Sequence, residues 1–413
     1  MHPEQIVNFL DKQAETAVYL QSELVALPAL GPKNGGQGEY HKAQFLTTYL
    51  KQLGLKDIRQ LPSEDPRVES GQRPNTAAVL PGWDPRRTLW IISHMDVVPT
   101  GDLSLWNTDP FTLHQEGDLV YGRGTEDNHH GLVSSLLAVK ALLETSAVPR
   151  INLGLLFVSD EETGNEYGLE FLFRQHRELF GPGDLFLVPD FGTPDSNLVD
   201  VSEKGLMWLK ISVIGKQCHG STPEKGCNSL LAASAAVLEL RELYSRFDRE
   251  NPLFAPPYST FEATKKENNV PNVNTIPGKD VFYLDCRILP EYELDLAIAT
   301  VREITDRIAR VYGVDIHVET VHRESAPATD ESHPFVQALL SSIGTMYNAS
   351  PAPGGIGGGT VAAFPRKEGF PAAVWATLLG NAHQPNEHTS IRNMLGDAKV
   401  MAHLALEMPE DGS

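Results

Sequence analysis

Five short segments carry the side chains best suited to chemistry. In Ile91-Ile92-Ser93-His94-Met95-Asp96-Val97-Val98-Pro99 an apolar run ends in a histidine and an aspartate two residues apart. The period-two alternation of an extended chain puts His94 and Asp96 on the same face, so that one can bind a metal ion while the other supports it. In Tyr121-Gly122-Arg123-Gly124-Thr125-Glu126-Asp127-Asn128 two glycines allow a sharp turn that presents acid to a cation, just before an apolar helical pattern. Ser159-Asp160-Glu161-Glu162-Thr163-Gly164 sets successive carboxylates after another apolar run, where they repel one another unless positive charge sits among them. Val188-Pro189-Asp190-Phe191-Gly192 closes a further apolar run with an acid. Gly380-Asn381-Ala382-His383-Gln384-Pro385-Asn386-Glu387-His388 supplies histidines and an acid late in the chain. Any one of these alone reads as a solvated loop.

The elements around them change that reading. Apolar runs at Thr88 to Ile92, Ile151 to Ser159 and Leu185 to Pro189 alternate with helical patterns at Gly131 to Glu144 and Leu169 to Phe180. This order predicts an α/β layer with a largely parallel sheet. Ligands in such sheets bind beyond the carboxyl ends of the strands, so the His, Asp and Glu clusters should converge on one rim. From 205 to 322 the order becomes strand (Met207 to Ile214), helix (Ser229 to Phe247), two strands (Ser259 to Thr264, Val281 to Leu289), helix (Leu294 to Val311) and strand (Val314 to Thr320). That is a ferredoxin-like α+β pattern. A helix at His333 to Tyr347, a strand at Ala372 to Thr377 and a helix at Gly396 to Glu407 then resume the first pattern. The expectation is a discontinuous α/β domain, 1–204 and 323–413, interrupted by an inserted domain, 205–322. Met1 to Leu30 reads as an amphipathic first helix, without the features of a secretory signal.

Composition narrows the classes. The 413 residues carry a net charge of −20, a field that repels phosphate backbones and anionic membrane surfaces, so neither nucleic acid nor membrane is an expected partner. No run of apolar residues is long enough to span a bilayer. Three cysteines (Cys218, Cys227, Cys286) do not make a disulfide framework, and a reducing, cytoplasmic location is the default expectation. Gly354-Gly355-Ile356-Gly357-Gly358-Gly359-Thr360 lacks the lysine of a phosphate-binding loop.

Taken in order, His94-Met95-Asp96-Val97-Val98-Pro99, Gly122-Arg123-Gly124 to Asp127, Asp160-Glu161-Glu162, Asp190, and His383 to Glu387 resemble the motifs of the M20 family of dinuclear zinc peptidases and amidohydrolases. The resemblance covers nearly the whole chain. It implies a zinc-exopeptidase-like catalytic domain and an inserted lid or dimerisation domain, with a homodimer as the expected assembly. It implies that Asp127 bridges two zinc ions, with His94 and Asp190 completing one site and Glu162 and His383 the other. Cobalt or manganese could serve the same ligands. Asp96 would orient His94 from behind, and Glu161 would be the general base for a hydroxide between the ions that attacks an amide carbonyl. The substrate expected is a small N-acyl amino acid or short peptide, with a metal-binding, non-hydrolytic homologue as the alternative.

In the inserted domain Gly215 to Pro223 resembles the family's histidine segment, which makes His219 the candidate for stabilising the reacting carbonyl oxygen. Asn274, Arg287, Gly359 and Thr360 match substrate-binding positions, and an arginine fork suits a substrate carboxylate. Cys218 and His219, as strand neighbours, point to opposite faces and form no thiol dyad. The chain departs from the family at Asn128-His129-His130-Gly131, where most members have a lysine and a closer glycine, and at Val361, where many have an acid. His129 and His130 are expected as surface or helix-start residues. His388 is expected to support the site rather than form a third one.

Overall fold

The structure, a computed structural model, describes residues 2–325 and 327–409. The chain forms two compact units. The first comprises the chain through Val201, Thr329–Gly354 and the chain from Thr360; the second comprises Ser202–Ala328 and Gly355–Gly359.

The first unit is built on a sheet ordered Asp57–Gln60, Thr76–Leu80, Ile151–Val158, Asp84–His94, Leu185–Gly192, Ala372–Ala376, Leu198–Glu203, Ala352–Ile356. Its middle is parallel: Asp84–His94 runs with Ile151–Val158 on one side and Leu185–Gly192 on the other, and Leu185–Gly192 runs with Ala372–Ala376. The pairings flanking this middle, Thr76–Leu80 with Ile151–Val158 and Leu198–Glu203 with Ala372–Ala376, are antiparallel. The sheet is therefore mixed rather than largely parallel, because short strands outside the expected pattern extend both edges.

Both faces are covered, which is why the central strands are apolar without alternation. Leu89 and Ile91 enter a core with the helices Ala14–Val25, His129–Glu144, Pro334–Tyr347 and Ile391–Glu407. Trp90 and Ile92 enter another with Leu169, Leu172, Phe173, Phe180 and Phe370. Gly154 is needed where it stands, since a Cβ there would lie 2.3 Å from the Trp90 ring. His129–Glu144 is buried on nearly every side. Ile391–Glu407 begins five residues before the expected Gly396, capped by the Ser390 hydroxyl, which accepts from the Asn393 N–H at 3.1 Å.

The expected first helix is two, His2–Leu10 and Ala14–Val25. Gln13 sits at the break. Its amide donates to the Phe9 carbonyl at 3.4 Å and accepts from the Thr16 hydroxyl at 3.0 Å, closing one helix and opening the next. Ser229 to Phe247 also splits, into Ser229–Glu239, a 3-10 turn and Leu243–Arg246.

The second unit holds an antiparallel sheet ordered Thr260–Lys266, Lys279–Ile288, Gly205–Ile214, Asp315–Glu324. In chain order this is second, third, first, fourth, the ferredoxin-like arrangement. Gly205–Ile214 alternates in burial along its length. Leu294–Tyr312 buries Leu294, Ala297, Ile298, Val301, Ile304 and Ile308, a helical stripe that ends at Gly313 in the left-handed region (φ 66°). Among the described residues no helix is long and apolar enough to cross a membrane.

Candidate metal centre

Parallel pairing decides where the reactive side chains emerge. His94 is opposite Val158, Ile91 opposite Leu187 and Ala376 opposite Gly192, so the strand ends leading to Glu161, Asp190 and His383 share the rim of His94.

His94 is buried, and its Nδ1 donates to the Asp96 backbone carbonyl at 3.0 Å. That bond fixes the tautomer that turns Nε2 into the site. Nε2 lies 2.8 Å from one Asp127 oxygen and 3.4 Å from Asp190. His383 Nε2 lies 3.0 Å from the other Asp127 oxygen and 3.2 Å from both Glu162 oxygens. Asp127 thus offers one oxygen to each imidazole. Two overlapping donor triads result, His94, Glu161 and Asp190, and His94, Asp127 and Glu162, each with its donor atoms within 4.8 Å of one another.

The electrostatics follow from burying acids together. Burial, with Asp190, Glu162 and Asp127 close by, raises Glu161 well above the usual carboxyl range. Burial lifts Glu162 to about 7 against the hydrogen bond from His383, and it raises Asp190 too. Burial would lower His94, yet Asp190, Asp127 and Asp96 outweigh it and hold the imidazole well above its ordinary value. Hydrogen bonds to Asp127 and Glu162 raise His383 to about 10. Asp127 stays low, because the two imidazoles overcome its burial. The Glu161 carboxyl accepts no hydrogen bond from the described residues.

Supporting contacts depart from expectation in four places. The Asp96 carboxylate stands 3.6 Å from His94 Nδ1 and instead accepts the N–H groups of Glu161 (3.1 Å) and Glu162 (3.0 Å). It holds the acidic turn, while its backbone carbonyl orients His94. Asp160 points away from the site, in the left-handed region (φ 64°), and meets Arg73 at 3.4 Å. The countercharge for that acid is therefore an arginine. His129 and His130 start their helix, as expected, but are buried rather than at the surface, because the loop and two helices close over them. Lys42, also buried, donates to His129 Nε2 at 2.6 Å, and burial lowers its ammonium to about 7. His130 bridges Thr389 (2.8 Å) and Asp397 (2.7 Å). His388 makes no contact with the donor cluster; its Nδ1 faces the Asn386 carbonyl and its ring packs on Tyr121.

Three positioning residues were not singled out from the sequence. Asn128 donates to Asp190 at 2.7 Å and to the Pro189 carbonyl at 2.7 Å. Buried Glu387 accepts the N–H groups of Gly124, Glu126 and Asp127, each at 3.0 Å, and pairs with Arg123 at 2.6 Å. Buried Glu126 accepts from Leu379, Gly380 (2.8 Å) and Asn381 (2.7 Å). Their position inside the motifs was the available signal. Gly124 sits in the left-handed region (φ +88°), and a Cβ there would strike Val97 and the His129 ring.

The remaining candidates lie elsewhere. His219, Asn274, Arg287 and Gly359 belong to the second unit, where His219 pairs with Thr275 in a two-stranded ribbon. The Ser221 N–H donates to His219 Nδ1 at 3.1 Å, which leaves the proton of a neutral ring on Nε2. The Asn274 carbonyl accepts from Gly220 at 2.7 Å. Arg287 is forked onto Asp285 (2.8 and 3.2 Å) and donates to the Gly357 carbonyl at 2.9 Å. Thr360, in the first unit, accepts from the Ala362 N–H at 3.2 Å. Cys218 Sγ faces the Thr222 carbonyl, away from the His219 ring.

Known proteins resemble this chain along most of its length. Residues 90–407 match the model of peptidase family M20/M25/M40. An uncharacterized metallohydrolase of Methanocaldococcus jannaschii is 40% identical over 94% of this chain and 98% of its own length. A succinyl-diaminopimelate desuccinylase of Legionella pneumophila is 26% identical over 90% of this chain and 93% of its own. Among solved structures, aminopeptidase PepT from Bacillus cereus shares the fold, with a TM-score of 0.78 at 18% identity, covering 96% of this chain and 99% of that one. With its motifs gathered on one rim and the family match spanning most of its length, the chain belongs to peptidase family M20/M25/M40 and is a metallohydrolase of that family.

Proposed function

We propose that the protein hydrolyses an amide bond in a small N-acyl amino acid or short peptide, using two divalent ions held by His94, Asp190, Asp127, Glu162 and His383. The observation that carries this reading is Asp127, which gives one oxygen to each of two imidazoles beside further carboxylates. The donor set fits. Its oxygens and imidazole nitrogens suit zinc first, with cobalt and manganese able to use the same atoms.

Bound ions supply a water acidic enough to ionise near neutral pH and a positive charge for the substrate carbonyl. The chain supplies the rest. Glu161, whose carboxyl accepts no hydrogen bond from the described residues and lies beside the His94 and Asp190 donors, takes a proton from the attacking water and returns it to the leaving nitrogen. Asp96 fixes the turn that presents Glu161 and Glu162. From the family resemblance, His219 offers its Nε2–H to the carbonyl oxygen, and Asn274, Arg287, Gly359 and Thr360 bind the substrate, with Arg287 exchanging Asp285 for a substrate carboxylate. The second unit serves as lid and homodimer surface, a reading supported by exposed Leu231, Leu238, Leu296 and Val311 on its helices. Three free cysteines favour a cytoplasmic location. A binding-only homologue would have no use for a Glu161 carboxyl left unbonded among the described residues beside a full donor set.

The test is hydrolysis of N-succinyl and N-acetyl amino acids and unblocked dipeptides, metal-free and with added zinc, cobalt or manganese. Metal-dependent release from acylated amino acids alone establishes a deacylase, and cleavage of free dipeptides a peptidase. Bound metal with no turnover across the panel favours the binding-only alternative.

A further inference from the structure

The two loops that carry Asp127 and His383 are more than 250 residues apart in sequence, yet each is held by a carboxylate from the other. Glu387 lies four residues after His383, and its oxygens accept from Gly124, Glu126 and Asp127, so it fixes the backbone of the shared ligand. Glu126 immediately precedes Asp127, and its oxygens accept from Leu379, Gly380 and Asn381, so it fixes the backbone that leads into His383. Asn381 then closes the His383 loop on itself, accepting from the His388 N–H at 2.6 Å and donating to the His388 carbonyl at 3.0 Å. Both glutamates are buried, and each accepts three backbone N–H groups.

The clasp is asymmetric. Glu387 grips the residue common to both ions, whereas Glu126 grips only the loop that supplies His383. His383 is itself half exposed and in the left-handed region (φ 65°), so no packed core fixes its ring. We infer that Glu126 is a positioning residue that sets the affinity of the His383–Glu162 ion alone, while Glu387 sets the affinity of both. The inference rests on the two-ion reading given above and assigns each clasp carboxylate a separate share of it. The physical basis is that outer contacts orient a metal ligand and alter affinity about ten- to a hundredfold when lost. A side chain that accepts three N–H groups with both oxygens cannot be replaced by an amide, which has one acceptor oxygen and turns a donor toward the remaining N–H.

The experiment is stepwise cobalt(II) titration of the metal-free full-length protein, followed by the visible absorption of the bound ion and by calorimetry. Wild type should take two equivalents. E126Q should bind one ion as wild type does, within about twofold, and the other about ten- to a hundredfold more weakly. E387Q should weaken both. In an H383A background, which keeps only the His94 side, adding E126Q should change the remaining affinity by less than about twofold, because the group it positions is gone. A general loosening of the fold would instead weaken that remaining ion as well. Should E126Q fail to fold by circular dichroism, E126D, which keeps the charge and shortens the reach, is read in the same way. Equal loss at both ions in E126Q, or no loss at either, overturns the inference while leaving two-ion binding intact. A wild-type stoichiometry of one overturns the two-ion reading, and the inference with it.

Discussion

At the scale of single residues, Glu161 and Glu162 are neighbours in sequence with different surroundings. Glu162 is engaged by the His383 ring, while the Glu161 carboxyl accepts no hydrogen bond from the described residues and is raised by burial among like charges. A carboxylate of that kind is suited to carry a proton rather than to anchor a loop. Glu161→Gln removes the proton carrier and keeps the shape. Turnover should fall by about 10²- to 10⁴-fold while fold and bound metal are unchanged, checked by kinetics beside metal analysis. Unaltered turnover would take Glu161 out of the base role. The same cluster predicts a pH dependence. Without metal, burial raises Glu162 to about 7 and its carboxylate partners raise His383 to about 10, so at neutral pH His383 is protonated and Glu162 partly so, and these protons must leave before the groups can ligate. Metal uptake should therefore release protons, and apparent affinity should rise with pH from about 6 to about 10, by up to about tenfold per unit for each proton displaced. Calorimetry in buffers of differing ionisation enthalpy measures the proton count; a flat affinity across that range would contradict it.

At the scale of elements, the strand ends matter more than the strands. The apolar runs leading to His94, Glu161 and Asp190 were legible because buried parallel strands are apolar throughout, and their shared rim followed from parallel pairing. The inserted strand-helix-strand-strand-helix-strand order was legible from periodicity in the same way. The edge strands Asp57–Gln60 and Ala352–Ile356 were not, since short, partly exposed segments carry little periodic signal. Nor were the burial of His129 and His130 or the exchange between Glu126 and Glu387, which depend on partners from 87 to more than 250 residues away. Asp96 illustrates the difference: its place two residues after His94 suggested a partner for that ring, but its carboxylate spans to the next strand end. Asp96→Ala would leave the Glu161 and Glu162 N–H groups without an acceptor in a turn already strained at Asp160. The expected cost is about 1–3 kcal/mol of stability, with weaker metal binding, and Asp96→Asn should be milder because it keeps one acceptor. Thermal melts and metal titrations of both variants test this, and wild-type behaviour of the alanine variant would contradict it.

At the scale of the whole molecule, the two units have separate hydrophobic cores, and all five proposed metal donors come from the first. A ligand that binds only the folded state stabilises what it binds, by about 2.7 kcal/mol at a hundredfold excess over its dissociation constant. Metal should therefore act unevenly along the chain. The segments that gain most are those that carry or hold the proposed donors: 94–97, 122–128, 159–164, 189–192 and 377–388. Held without metal by imidazole–carboxylate contacts among crowded acids, they should open most readily when metal is removed. Hydrogen exchange on metal-free and zinc-loaded protein should show slowed exchange in those segments and in His129–Glu144, which begins at the second of them. The strands Gly205–Ile214 and Lys279–Ile288, enclosed in the core of the second unit, should exchange at the same rate in both states. Equal slowing in both units would mean that they unfold as one cooperative body. Slowing confined to the second unit would place the ions away from the donors assigned to them.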